Sequence, residues 1–219
     1  MNDVRGWIEE KLREDGFSST RRLPKRQLEI TRDSYPDARV LCVGLSKGET
    51  FDADDLIAAI EDVPGTEFVV VVPTRITHAA YERAEELGVC VAGFGELVHA
   101  LRTDDNIAEH VDGQEQYERR RLKYNKAVKS LKRKGHHAYE VQRKEHRPLT
   151  IITTNVYEFT ADRLYSILES YEGIEPDLIV VTNPNCRGFS THSKQAANQA
   201  GIPLVRFADF LTDLGSKWT

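Results

Sequence analysis

The chain has 219 residues, 40% of them hydrophobic and 30% charged, with a formal net charge of −5. That length suits one large domain or two small ones, and the apolar share is enough for a core. The acidic balance argues against non-specific nucleic-acid binding by the whole molecule, while leaving room for a local basic patch.

Val4 to Glu14 reads as a helix with Val4, Ile8 and Leu12 on one face, stopped by Gly16. The polar stretch from Phe17 to Arg32 is expected to form a strand pair around Pro24. Val40 to Leu45 is an apolar run of the kind covered on both faces. A helix follows over Asp54 to Glu61, then a buried strand at Phe68 to Val72. Thr77 is placed to cap a helix that Gly88 ends. Val89 to Ala92 is a third strand, and Glu96 to Leu101 a short helix. Residues 102–115 are polar and acidic and read as a linker.

Gln116 to Lys134 is expected to be the longest helix, with Tyr124, Ala127, Val128 and Leu131 as its apolar stripe and Gly135 as its stop. His137 to Gln142 is a strand. The order then recurs: strand Leu149 to Thr153, helix Ala161 to Ser170, strand Asp177 to Thr182, helix Thr191 to Ala200, strand Pro203 to Phe207, helix Asp209 to Leu214. Strands alternating with helices imply βαβ crossovers and a mainly parallel sheet. Cys42 and Cys90 sit in apolar runs and read as small core hydrophobes. With no disulfide framework, zinc-ligand spacing or signal-peptide pattern, a cytoplasmic protein is expected. The longest strongly apolar run, Phe68 to Val72, is far short of a membrane span.

The two halves resemble each other. An offset of 108 lays Phe51-Asp52-Ala53-Asp54-Asp55-Leu56 over Phe159-Thr160-Ala161-Asp162-Arg163-Leu164, and an offset of 113 lays Ala84, Gly88 and Phe94 over Ala197, Gly201 and Phe207. The reading is an internal duplication: an α/β protein of two tandem βαβαβα units, 1–101 and 116–219, joined by the linker. Twenty-three positions separate Gly16 from Arg39 but only 12 separate Gly135 from Arg147, so the first unit is expected to hold one strand more than the second.

The order helix, hairpin, buried strand, helix, strand, helix, strand, helix resembles the restriction-endonuclease-like fold, and Mrr-type domains in particular. The residues that carry the likeness are Phe189-Ser190, Ala196-Ala197, Gly201-Ile202 and Phe210-Leu211, with Ile76-Thr77, Ala84, Gly88-Val89 and Leu97 in the first unit. The resemblance implies an acid on the hairpin and an acid-x-Lys or Gln-x-Lys pair on the next strand, holding Mg²⁺. Neither Val40 to Leu45 nor Leu149 to Thr153 contains an acid or a lysine. Both copies therefore read as catalytically degenerate, with Glu29 and Glu140 as lone hairpin acids. A Mg²⁺-dependent nuclease built on Glu29 with Glu49 is the alternative. A weaker resemblance, to BRCT domains, implies a phospho-ligand or protein-interaction module using Thr153-Thr154 and Lys194.

Residues Glu118 to Arg147 carry 12 Lys/Arg and 3 acids. On a helix, Arg119, Lys123, Lys126, Lys129 and Arg133 form a basic face suited to phosphate contacts, and nucleic acid, expected to be DNA, is the favoured partner. Beyond the carboxyl ends of the strands, Lys47 and Arg75 in the first unit and Arg187, Ser190 and Lys194 in the second are candidate anion ligands, alongside Thr154 and Asn155. His136, His137 and His146 lack cysteine or acid at ligand spacing, so no metal and no cofactor is expected. The chain is expected to act as a monomer that mimics a nuclease dimer.

Overall fold

The computed structural model of the chain describes residues 3–218. It divides into two compact units between Asp112 and Gly113. Unit 1 runs α1 (Val4–Glu14), β1 (Thr20–Arg22), β2 (Gln27–Ile30), β3 (Ala38–Gly44), α2 (Ala53–Glu61), β4 (Phe68–Val72), α3 (His78–Leu87), β5 (Cys90–Ala92) and α4 (Phe94–Thr103). Unit 2 runs α5 (Gly113–Lys123), β6 (Val128–Gly135), β7 (Ala138–Arg143), β8 (Leu149–Thr154), α6 (Ala161–Ser170), β9 (Leu178–Val181), α7 (Thr191–Ala200), β10 (Leu204–Arg206) and α8 (Phe207–Asp213).

Each unit builds one five-stranded sheet in sequential order. The first three strands form an antiparallel meander, and the last two join in parallel through helical crossovers. The sheets are thus mixed and not mainly parallel, because two of the four strand contacts in each belong to the meander. Both sheets have five strands, so among the described residues the first unit holds no strand more than the second.

The central parallel strands explain the layering. Side chains alternate faces along a strand, and in β4 Phe68, Val70 and Val72 enter the core under α1 and α4 while Val69 and Val71 enter the core under α2 and α3. In β9, Leu178 and Val180 face α5 and α8, and Ile179 and Val181 face α6 and α7. Each fully buried Val, Leu or Phe stabilises the fold by about 1.5–3 kcal/mol, so an all-apolar strand between two helical layers contributes strongly to each unit. Thr77 and Ser190 cap α3 and α7 through their hydroxyls, and both helices end on a left-handed glycine, Gly88 at φ 68° and Gly201 at φ 69°. Cys42 and Cys90 are buried free thiols. No helix among the described residues is long and apolar enough to cross a membrane.

The segment read as one long helix is instead a helix and a strand. α5 stops at Lys123 because the Asn125 side chain gives the backbone another partner: its Oδ1 accepts from Ala127 N at 3.0 Å and its Nδ2 donates to Leu211 O at 2.6 Å. Val128 onward then pairs with β7, and Gly135 ends a strand rather than a helix. Tyr124, placed on the apolar stripe, is 80% exposed. The stretch 102–115 holds the end of α4, a 3₁₀ turn at Ile107–Glu109 and the start of α5; Ile107 and His110 within it are buried.

One device occurs in both units. Arg32 follows β2 and is buried; its guanidinium donates to the carbonyls of Pro36 (2.5 Å), Asp104 (2.7 Å) and Asp105 (3.0 Å). Arg143, at the end of β7, donates to the carbonyls of Arg147 (2.8 Å), Leu214 (3.3 Å) and Ser216 (2.8 Å). Each arginine closes the loop after its own strand and ties it to carbonyls just past the end of the last helix of its unit. Burial lowers both guanidinium pKa values from their ordinary level.

Candidate functional site

The inward face of the first helix differs between the units. α1 turns Val4, Ile8 and Leu12 onto its sheet; α5 turns Glu115, Glu118 and Leu122 onto its own. Burying a carboxylate is costly unless it is paired and hydrogen-bonded, and unit 2 supplies the partners. Glu115 accepts from Arg133 Nη2 at 2.6 Å and from the backbone N–H of His137 at 3.0 Å. Glu118 accepts from Gln114 Nε2 at 2.7 Å, Tyr139 Oη at 3.0 Å and Thr153 Oγ1 at 2.7 Å, and lies 3.2 Å from His137 Nδ1. Both glutamates have no exposed surface. All four carboxylate oxygens therefore have protein partners. Burial first, and then the Glu115 and Glu118 charges, hold the Tyr139 hydroxyl well above its ordinary pKa, which keeps it a hydrogen-bond donor.

The network reaches the surface at the carboxyl end of β8. Gln114 Nε2 also donates to Thr182 Oγ1 at 2.8 Å, which leaves its Oε1 to accept from Asn155 Nδ2 at 2.8 Å. Asn155 is exposed, and its orientation is set through Gln114 by buried Glu118. Beside it opens a cleft of about 260 Å³ lined by Gln114, His137, Thr154, Asn155, Arg163 and Tyr171 among others. Arg163 Nη2 lies 3.5 Å from Thr154 Oγ1. A second cleft, of about 180 Å³, lies against α5 and α8 and includes Tyr117, Arg121, Asn183, Cys186, Arg206 and Phe207. There the Tyr117 ring meets Phe207 edge-on at 5.8 Å.

Charge is unequally divided. Residues 1–112 hold 13 Lys/Arg against 23 Asp/Glu, a net −10; residues 113–219 hold 17 against 12, a net +5. The exposed large aromatics fall on the positive side too: Tyr117, Tyr124, Tyr157 and Tyr165 are all in unit 2. Tyr117, Arg121 and Tyr124 follow the i, i+4, i+7 spacing of one helix face.

The structure separates the residues of the expected basic face. Arg119 and Lys123 are on α5, Lys126 is in the turn after it, and Lys129 and Arg133 are on β6. Arg133 is buried against Glu115 and does not point outward. Lys123, Lys126 and Lys129 are exposed. Glu29 is held by Arg21 and Arg39, and hydrogen bonding from Arg21 lowers its pKa. Glu49 accepts from Ser46 N at 2.7 Å, so the two acids proposed as a pair have separate partners. Glu140 accepts from Gln142 at 2.7 Å and stands opposite Lys132 in the ladder. Lys47 is exposed, and Arg75 donates to the carbonyl of Ser46. Ser190 is engaged in capping α7, with Arg187 and Lys194 exposed nearby; none of the three lines the two clefts just described. The His136 and His137 rings meet tilted at 46° with centroids 4.2 Å apart, while His146 bonds to Gly215 O at 2.8 Å.

Sequence reasoning reached Thr153, Thr154 and Asn155 as strand-end residues but missed Gln114, Glu115, Glu118, Tyr139 and Arg163. Two signals were present: glutamates three apart on the inward side of a helix, and an arginine at the third position of α6. Comparison of the chain with family models, with curated proteins and with solved structures returns no match.

Proposed function

We propose that the chain is a nucleic-acid-binding protein of two tandem restriction-endonuclease-like units, with unit 2 as its contact surface and single strands as its ligand. The observation that carries this is the α5 face, where exposed Tyr117 and Tyr124 flank Arg121, with Lys123, Lys126 and Lys129 exposed on the segment that follows. Cations neutralise phosphates, and exposed rings stack on unpaired bases, which are hidden in a duplex. Tyr117 borders the second cleft, a site for one base to lie against the ring. In support of the tandem reading, each unit has the same order of helices and strands, the same strand directions and the same arginine closure.

Binding without cleavage is the favoured form. The two glutamates that converge beside β8 favour the Mg²⁺-nuclease reading by position, but Arg133, Gln114, Tyr139, Thr153 and His137 already occupy their oxygens, so little is left for a cation. The test is fluorescence anisotropy of a labelled single-stranded oligonucleotide at rising salt, repeated with Mg²⁺ or Mn²⁺ and a gel for products. Affinity is expected to fall linearly on a log–log plot against salt. Tyr124→Ala is expected to lose about tenfold, within the ~1–3 kcal/mol of one stacked base. A salt-independent isotherm, or one indifferent to Tyr124→Ala and to Arg121→Glu with Lys123→Glu, removes the binding reading. Divalent-dependent products reinstate the nuclease.

A further inference from the structure

The cleft beside β8 has no role in the surface described above. Its first noteworthy residue is Arg163, third in α6 after the Thr160 cap. The amino end of a helix carries partial positive charge and favours an acid at this position. Unit 1 follows that rule: Asp55, third in α2, returns a hydrogen bond to the backbone of Asp52 in a capping box. Unit 2 places a guanidinium there, against the helix's own field, and no carboxylate pairs with it among the described residues. An unpaired cation held against a helix dipole at the mouth of a cleft is arranged for an anion.

The second residue is Asn155. One amide hydrogen goes to Gln114; its Oδ1 and its other hydrogen have no protein partner among the described residues. It therefore keeps one donor and one acceptor free, the two functions that N7 and N6 of adenine call for. Its aim is fixed by the Gln114–Glu118 chain rather than left to rotamer chance. The corresponding place in unit 1, the end of β3, is Gly44, packed on Val4.

The third observation is size and shape. About 260 Å³ is just below the ~300–1,000 Å³ of pockets for drug-sized ligands. It suits one nucleotide unit and not a folded partner. Tyr171, whose hydroxyl is tied to the carbonyl of His136 at 2.8 Å, supplies an aromatic wall held in place.

We propose that this cleft binds a single nucleotide, with the Asn155 amide on the base edge and the Arg163 guanidinium on its phosphate. The nucleotide is either one unit of a bound strand or a free mononucleotide; the chemistry is the same and the experiment separates the sources. The strand-bound form rests on the reading given under Proposed function; the free form does not.

The full chain is titrated calorimetrically with AMP and, separately, with inorganic phosphate. It is also titrated with an end-labelled oligothymidine carrying one 8-vinyladenine, a fluorescent adenine that keeps N6 and N7, read by anisotropy and by base emission. Two variants are compared, Asn155→Ala and Arg163→Asp. The second restores the acid that the helix position prefers, so it folds at least as well as the parent. Both variants are expected to weaken AMP binding at least tenfold and to abolish any 8-vinyladenine response, while anisotropy stays within about threefold of wild type. If AMP binds and the strand's emission does not respond, free nucleotide is the ligand. No AMP binding by wild type together with no emission change on the strand overturns the proposal, as does phosphate binding as tightly as AMP with Asn155→Ala silent. If the strand does not bind at all, the surface reading falls and the AMP isotherms alone decide this one.

Discussion

The two units use one connectivity to enclose two different interiors. Where the strands of unit 1 place Leu28, Cys42 and Gly44, those of unit 2 place Tyr139 and Thr153 with Asn155 next in line, and the buried face of the first helix has Ile8 in one and Glu118 in the other. The correspondence is fixed by backbone bonds: Cys42 N donates to Arg26 O at 3.1 Å, and Thr153 N donates to His137 O at 2.8 Å. Arg26 and His137 both have left-handed backbones, at φ 64° and 54°. At these four positions unit 1 packs apolar side chains and a glycine. The polar centre of unit 2 is therefore not a requirement of the fold. Burying two carboxylates there brings a desolvation penalty that packed hydrophobes avoid, and the gain is an exposed amide held in one orientation.

The sharpest way to break that comparison is at Arg133. Each unit has one tryptophan, Trp7 against Phe94 at 5.3 Å and Trp218 against Phe210 at 5.8 Å, so single-tryptophan variants report the unfolding of each unit separately. Arg133→Ala leaves the Glu115 carboxylate buried without its cation, and should cost unit 2 about 3–5 kcal/mol in denaturant unfolding followed at Trp218. The Trp7 transition should not move. Replacing both partners, Glu115→Leu with Arg133→Met, should recover most of the loss, since apolar groups of similar volume often match or exceed a buried pair. A double variant as unstable as Arg133→Ala would show that unit 2 depends on its charges for folding.

Alkaline unfolding sharpens the comparison from the other side. Burial pushes the Cys42 thiol from its ordinary 9.0 up to about 12. Below pH 9 the folded and unfolded chains both keep the proton, and the fold loses nothing. Above it the unfolded thiol ionises while the folded one does not, so stability drains from unit 1 until about pH 12. At 1.36 kcal/mol per pKa unit the loss approaches about 4 kcal/mol. Unit 2 has Thr153 at that place, which does not titrate, and its decline starts near pH 10, with Tyr139. The Trp7 midpoint should therefore begin to fall about one pH unit before the Trp218 midpoint, and Cys42→Ala should remove that lead. Two midpoints that fall together in the parent chain would refute the assignment.

What the sequence disclosed follows from the range of the forces involved. Phe68 to Val72 and the Thr77 and Gly88 caps act within a few residues, and they read correctly from neighbours alone. Residues 116–134 did not. Lys and Arg are good helix formers, and Tyr124, Val128 and Leu131 have helical spacing, but the Asn125 turn and pairing with β7 decide the outcome. The buried centre was hidden for a related reason. Glu115 and Glu118 in a run of arginines look like a solvated helix, and only Arg133, Tyr139 and Thr153, 15 to 38 positions away, give them a reason to be inside.

The smallest expected difference between the units tests what they share. Arg32 and Arg143 perform the same closure, each with three carbonyl bonds and each with burial opposing its charge. Arg32→Ala and Arg143→Ala should each cost about 1.5–3 kcal/mol, the range for hydrogen bonds to a charged group, read at Trp7 and Trp218 respectively. Lysine should not substitute, because one ammonium cannot span carbonyls on two sides of a planar fork. Arg32 also lies over the Tyr35 ring at 5.2 Å, so its loss should be the larger by the ~0.5–1 kcal/mol of an exposed cation–π contact. Equal penalties within that margin mean that the two units differ in their interiors and not in how they are closed. A harmless Arg143→Ala would instead mean that the polar centre alone holds unit 2 together, and that the likeness of the two closures is geometric without being energetic.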